Sequence, residues 1–199
     1  KYSKKKMVDS HGSNQGSGFD NPQVSESCFE FLMIGALATI TSNIPEIDSE
    51  SGAELALQKL EKMGYSTGFR FLERCAQWRV LPSDQLEIIK FLCKDFWTEV
   101  FKKQVDKLQT DHRGTYVLKD LGFRWLARHA ADDTPESRLM LTRLLQFPCG
   151  LIRGALDNLG IQSIVRAEFV DESNSITLPC VSFTIRSKPS SGSGATVYR

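Results

Sequence analysis

Two glycine pairs, Gly64/Gly68 and Gly150/Gly154, stand four residues apart inside segments whose apolar residues recur with a helical period. Glycine in a helix interior costs about 1 kcal/mol against alanine, so a chain that keeps four of them needs a packing reason. Spacing of four puts both members of a pair on one helix face. Without Cβ atoms that face is a flat strip, open to close approach by another backbone. For the first pair there is an alternative: Gly64 ends one helix and Tyr65 begins another.

Around these strips the periodicity lays out five helices and two hairpins. The first helix opens at Ser27, where Ser27 and Glu30 have capping-box spacing, and Phe29, Leu32, Met33, Ala36, Leu37 and Ile40 share a broad face. The second runs from about Ala53 to Trp78, with Leu57, Leu60, Phe71, Leu72 and Cys75 beside the glycines. Pro82 breaks the chain, Asp84 or Ser83 caps a third helix, and its apolar residues continue to about Leu108. They cover more than half its circumference as far as Val100, which makes it a central helix. A fourth is predicted over Glu136–Gln146 with Leu139, Met140, Leu144 and Leu145 inward, and a fifth from Pro148 to a stop at Gly160. Thr115–Leu118 and Phe123–Leu126 read as one hairpin about Lys119–Gly122, and Ile161–Phe169 with Val181–Ile185 as a second. The order ααα-ββ-αα-ββ implies an α+β fold: a four-stranded antiparallel sheet with helices packed on one face. The domain spans 23–187, between flexible tails at 1–22 and 188–199 that are rich in Gly and Ser; Met7 is a possible start.

Composition narrows the function. With 41% apolar and 25% charged residues the chain is globular. Residues 1–6 hold four of its 25 basic residues, and the other 21 are outnumbered by 24 acidic ones. A mildly acidic domain does not supply the bulk basic face of a nucleic-acid binder. Five cysteines without a CxxC pair fit reduced thiols better than a disulfide framework or a zinc finger. The apolar run Phe31–Pro45 contains Thr39, Thr41, Ser42 and Asn43, too polar and too short for a membrane span of about 20 residues.

Catalytic chemistry is thin. No HExxH, GxSxG or Walker A pattern occurs, and HGSNQGSGF follows no strand. Cys75 with His112 and Asp111 is an imaginable triad without a motif behind it, and His11 and His129 lie elsewhere. A thiol beside a groove could carry a thioester-linked acyl chain, but Cys28, Cys93 and Cys149 on apolar faces read more simply as packing residues. Lys90, Lys94, Lys102, Lys103 and Lys107 are interleaved with acidic residues and form a solvated face. The first two helices are surplus to the core that the rest can build. They either cover the sheet or meet a partner, and composition alone does not choose.

GYSTGFRFLER (Gly64–Arg74), LEIIKFLCKDFWTEVFKKQVDKLQTDHRGTYVLKD (Leu86–Asp120), FRWLAR (Phe123–Arg128) and FPCGLIRGALDNLG (Phe147–Gly160) together resemble the small subunits of the transport protein particle, TRAPP, and within them the subunit-six branch. The likeness covers about residues 24–187. It implies the α+β fold above and pairing through the N-terminal helices. It also implies a place in an elongated complex, cytoplasmic and peripheral at cis-Golgi and ER-to-Golgi membranes, that tethers vesicles and promotes nucleotide exchange on Rab GTPases. In that setting the chain would be a non-catalytic scaffold without cofactor or metal, bound to the subunit-three relative. Rab and membrane would be met only through the complex. Phe29, Leu32, Met33, Leu57 and Leu60 become the expected partner contacts. The subunit-three relative carries an acylated cysteine shortly before its third helix, but the matching positions here are Trp78 or Asp84, so acylation is not implied. An acyl-chain or small-molecule sensor of the same fold is the alternative reading.

Overall fold

The computed structural model describes residues 24–42, 50–76, 84–126, 134–170 and 180–188. Helices α1 (Glu26–Ser42) and α2 (Glu50–Ala76) come first. Helix α3 (Gln85–Phe91) runs through a π-helical turn (Leu92–Phe96) into α4 (Trp97–Phe101). Strands β1 (Lys107–Thr110) and β2 (Thr115–Asp120) follow, then a 3₁₀ turn (Arg124–Leu126), α5 (Pro135–Leu144), α6 (Gln146–Asn158), β3 (Ser163–Phe169) and β4 (Val181–Ser187). The sheet is antiparallel throughout, in the order β1-β2-β4-β3. Taking α3, the π turn and α4 as one rod gives the expected order ααα-ββ-αα-ββ.

The glycine strips face one another. The most extensive packing between helices in the chain is α2 on α6. A Cβ at Gly64 or Gly68 would fall less than 3.0 Å from a backbone oxygen of Phe147 or Leu151, and one at Gly150 or Gly154 equally close to that of Glu61 or Tyr65. The two backbones therefore touch, and α2 continues through Gly64 unbroken. Polar residues fasten the rim. Tyr65 donates its hydroxyl to Asp157, Asn158 Nδ2 donates to the Phe69 carbonyl at 3.1 Å, and the Arg153 guanidinium lies over the Tyr65 ring. Arg153 Nε is 2.9 Å from Glu61 Oε1, an ion pair made by proximity rather than by an aligned N–H. The bond to Asp157, then burial and the Asp157 charge, push the Tyr65 phenol above its ordinary range, against the opposing pull of Arg153.

A second fastening joins the rod to the sheet. Asp120, at the end of β2, is 1% exposed and keeps its charge company there. It accepts from Trp97 Nε1 at 3.0 Å, Lys103 Nζ at 2.8 Å and the Gly122 amide at 3.0 Å. Lys103 also reaches Asp106 at 2.6 Å, and Asp106 caps the Leu121 amide at 2.7 Å. In the π turn the Cys93 carbonyl accepts from Val105 N at 3.1 Å, which draws the chain back toward the rod before β1.

Several local expectations change. The third helix stops at Phe101, because Lys102 turns left-handed with φ 60°. The stretch read as its tail is strand β1, paired with β2 around the Asp111–Gly114 turn. Val105 and Leu108 fit a helical period, yet the turned backbone and the Cys93–Val105 bond take the chain into the sheet. The Phe123–Leu126 strand is instead a 3₁₀ turn: Phe123 is wholly buried, and Trp125 packs on Phe29 and Phe101. Leu139 faces outward at 53% exposure. The Asp84 cap holds, accepting from Leu86 N and Glu87 N, and Gly160 takes the left-handed conformation (φ 82°) that ends α6. Residues 1–22 and 189–199 of the tails, Trp78, Pro82, Ser83, the Asp171–Thr177 loop, His11 and His129 lie outside the described residues.

Gly154→Ala should lower the free energy of unfolding by about 1–3 kcal/mol through overpacking. Gly35→Ala on α1, where an added Cβ meets nothing within 4 Å, should raise it by about 0.5–1 kcal/mol. Urea melts of the two variants check the pair.

Acid should also weaken the fold. Desolvation pulls Asp106 upward, but Lys103 and the Leu121 amide overcome it and hold its carboxyl below the ordinary carboxylate range. Its contribution is complete above about pH 4 and is lost as the pH falls through the lowered value. Desolvation pulls Lys103 downward, and Asp106 and Asp120 outweigh it, so Lys103 stays charged past 10.5 and contributes until the pH rises through that raised value. Asp106→Asn should flatten the acid limb of stability against pH, measured by denaturant midpoints.

Candidate partner-binding surface

Helix α1 is apolar on both sides. Its inward residues are Phe29, Met33, Leu37 and Ile40. Phe29 sits 4.4 Å from the Trp125 ring and 6.2 Å from that of Phe147. The ring series continues through Phe101 and Phe123 to Phe183 on β4, so α1 is held to the core by aromatic packing.

The outward residues follow the same helical period. Cys28, Phe31, Leu32, Gly35, Ala38 and Thr39 are exposed, and none carries a charge. Phe31 is 73% and Leu32 66% exposed. Leu55 and Met63 on α2 add exposed apolar side chains among Glu54, Lys59 and Lys62. An exposed apolar stripe of this kind has the character of an interface core, where charge is depleted.

The five expected contacts divide. Leu32 is on the open stripe. Leu57 is half-buried. Phe29 and Met33 are half-buried and turned into the core, and Leu60 is wholly buried with no surface to offer a partner. The sequence reading missed Phe31, Leu55 and Met63. For Phe31 a signal existed: from Phe31 to Ser42 no charged residue occurs on any face of the helix.

Beside α1 an apolar cleft is lined by Phe29, Met33, Phe123, Trp125, Leu126 and Phe147, with Glu30 at its rim. It leaves about 20 Å³, the space of a single water and far below that of an acyl chain. The Cys93 and Cys149 thiols are poor nucleophiles. Burial pushes Cys93 up to about 12, and burial with the Glu61 charge does the same to Cys149. The Cys180 thiol lies 3.4 Å from the Leu121 carbonyl. The triad imagined from sequence does not gain support, since the Asp111 carboxylate is taken by the Arg113 and Thr115 amides in the β1–β2 turn. Among the described residues no cluster of His, Cys, Asp and Glu could hold a metal, and no helix is long and apolar enough to cross a membrane.

At pH 8 a thiol of pKa about 12 is ionised in roughly one molecule in ten thousand. Exposed Cys28 should therefore label quickly with a maleimide, while Cys93 and Cys149 label at least about a hundredfold more slowly until denaturant is added. Peptide mass mapping reads the rates.

Residues 27–188 match the family model described as transport protein particle (TRAPP) component. The chain is 49% identical over 143 residues to trafficking protein particle complex subunit 6B of Homo sapiens, covering 72% of this chain and 88% of that one. It is 39% identical over 144 residues to human subunit 6A, covering 70% and 86%. A crystal structure of trafficking protein particle complex subunit 3 from Naegleria fowleri, covalently bound to palmitic acid, superposes with a TM-score of 0.54 at 18% identity, over 82% of this chain and 97% of that one. At that identity the superposition speaks for the fold.

Proposed function

This chain belongs to the TRAPP component family, and on that premise we propose that it is a non-catalytic scaffold subunit that pairs with the subunit-three relative. The pair forms part of the particle that supports Rab nucleotide exchange and vesicle tethering between the endoplasmic reticulum and the Golgi. Its relatives carry the names of trafficking-complex subunits, so other TRAPP subunits are its partners. The observation that carries the pairing is the uncharged outward stripe of α1, with Phe31 and Leu32 at 73% and 66% exposure. Each such side chain contributes about 1.5–3 kcal/mol when a partner covers it. That is a useful share of binding energy from a helix whose inner face already anchors it.

A sensor that holds an acyl chain is the weaker reading. The subunit 3 crystal structure carries palmitic acid, but here the cleft beside α1 is about 20 Å³ and the Cys93 and Cys149 thiols stay protonated. Native mass spectrometry should find no lipid-sized mass accompanying the purified chain.

The pairing is tested by size-exclusion chromatography with light scattering, with and without an equal amount of the subunit-three relative. A 1:1 complex should form with the parent chain, and Leu32→Asp should weaken it at least about a hundredfold while leaving the melting temperature near that of the parent. Leu60→Asp, placed in the core, should unfold the chain instead. If the parent shows no complex, or if Leu32→Asp binds as well as the parent, the proposed interface is wrong.

A further inference from the structure

The glycine crossing sorts the charges of α2. Glu61 and Glu73 are taken up by α6: Glu61 pairs with Arg153 at 2.9 Å, and Glu73 accepts from Asn158 Nδ2 at 3.4 Å. Glu54, nearer the start of the helix, accepts from Gln58 Nε2 at 3.2 Å. The side turned away from α6 keeps the cations. Lys59, Lys62 and Arg70 are exposed there, at a helical spacing that takes in exposed Leu55, Met63 and Ser66. No acidic residue stands three or four positions from either lysine, and the two lysines are themselves three apart. Arg74 continues the row, though it already has an interaction within the chain.

The row ends in an open cleft of about 380 Å³ lined by Ser66, Thr67, Arg70, Phe71 and Arg74. Phe71 is half-buried, its ring edge-on to that of Phe96 at 6.0 Å, and gives the cleft a fixed apolar wall. Thr67 spends its hydroxyl proton on the Met63 carbonyl at 2.9 Å, so the donors facing a ligand are the Arg70 guanidinium and the Ser66 hydroxyl. A guanidinium fork beside a hydroxyl matches a carboxylate. We propose that this outer side of α2 reads an acidic surface on the protein that pairs with the chain, with one of that protein's carboxylates seated in the cleft. This rests on the pairing proposed above and adds what the partner must carry. The α1 stripe is uncharged and gives no means of choosing among apolar partners, whereas the α2 row does. A second copy of the chain is the occupant it rejects. A two-fold contact sets the same patch against itself, so cations would meet cations.

The test is the association rate of the full chain with the subunit-three relative, followed by biolayer interferometry at about 0.05 M and about 0.5 M salt. Lys62→Glu with Arg70→Glu should slow association at least about tenfold at the lower salt, and the gap should close to about twofold at the higher. Leu32→Asp should act on dissociation instead. Should the double variant melt below the parent, Lys59→Gln with Lys62→Gln should still slow association about threefold at the lower salt. By light scattering the parent alone should stay monomeric at concentrations where the mixed pair forms. Failure of the parent to bind the relative would remove the pairing and this inference with it. A folded charge variant that associates as fast as the parent at the lower salt would overturn this inference and leave the pairing standing. A parent that pairs with itself as tightly as with the relative would overturn it in favour of a second copy. A charge variant that keeps its rate with the relative but loses binding to phosphatidylserine vesicles would overturn it in favour of a lipid surface.

Discussion

The contact between the α2 and α6 backbones is the constraint on which the rest of the molecule depends. Helices with ordinary side chains at the crossing would stand 8–10 Å apart. Here glycine against glycine lets main chains meet, and the helix-propensity loss at four glycines, about 3–4 kcal/mol, is offset by dispersion and by Cα–H contacts to facing carbonyls. The rim then falls into register. Tyr65 meets Asp157, Asn158 meets the Phe69 carbonyl, and Glu61 meets Arg153 only when the glycines interdigitate. Because α6 leads through Gly160 to β3, and α2 supports α1, this one crossing relates the sheet to the N-terminal helix.

Two further devices carry that geometry outward. The Asp120 cluster ties the end of β2 to Trp97 and Lys103, so the rod and the sheet cannot slide independently. The ring series from Phe183 through Phe123, Phe101 and Trp125 to Phe29 reaches from the sheet to α1. Helix α1 is thus positioned by its inner aromatic edge and by α2, which leaves Phe31 and Leu32 on its outer side exposed among the described residues.

Sequence reasoning reached what periodicity and local chemistry encode. The glycine strips, the Asp84 cap, the Gly160 stop and the order of helices and strands were all legible because each depends on residues a turn or two apart. The boundary between α4 and β1 was not. Val105 and Leu108 satisfy both a helix and a strand, and what decides is a long-range bond from Val105 to the carbonyl freed in the π turn. The Phe123–Leu126 segment failed for a related reason: aromatic residues favour strands on average, but here their rings complete a cluster already begun by Phe29 and Phe101. The candidate surface was half legible. An apolar α1 announces itself, yet Leu60 and Leu32 are alike as residues, and only the glycine crossing puts Leu60 out of reach.

The charge on the sheet shows the same limit from the other side. Lys107, Lys119, Arg166 and Arg186 span 80 positions of sequence, and in composition they vanish within a slightly acidic domain. Antiparallel pairing sets them on one face within a few residues' breadth. Burial holds the Cys93 and Cys149 thiols in their protonated form. What the chain offers is two faces of unlike character: an uncharged helical stripe on one side and a cationic sheet on the other. The glycine crossing fixes the relation between these two faces.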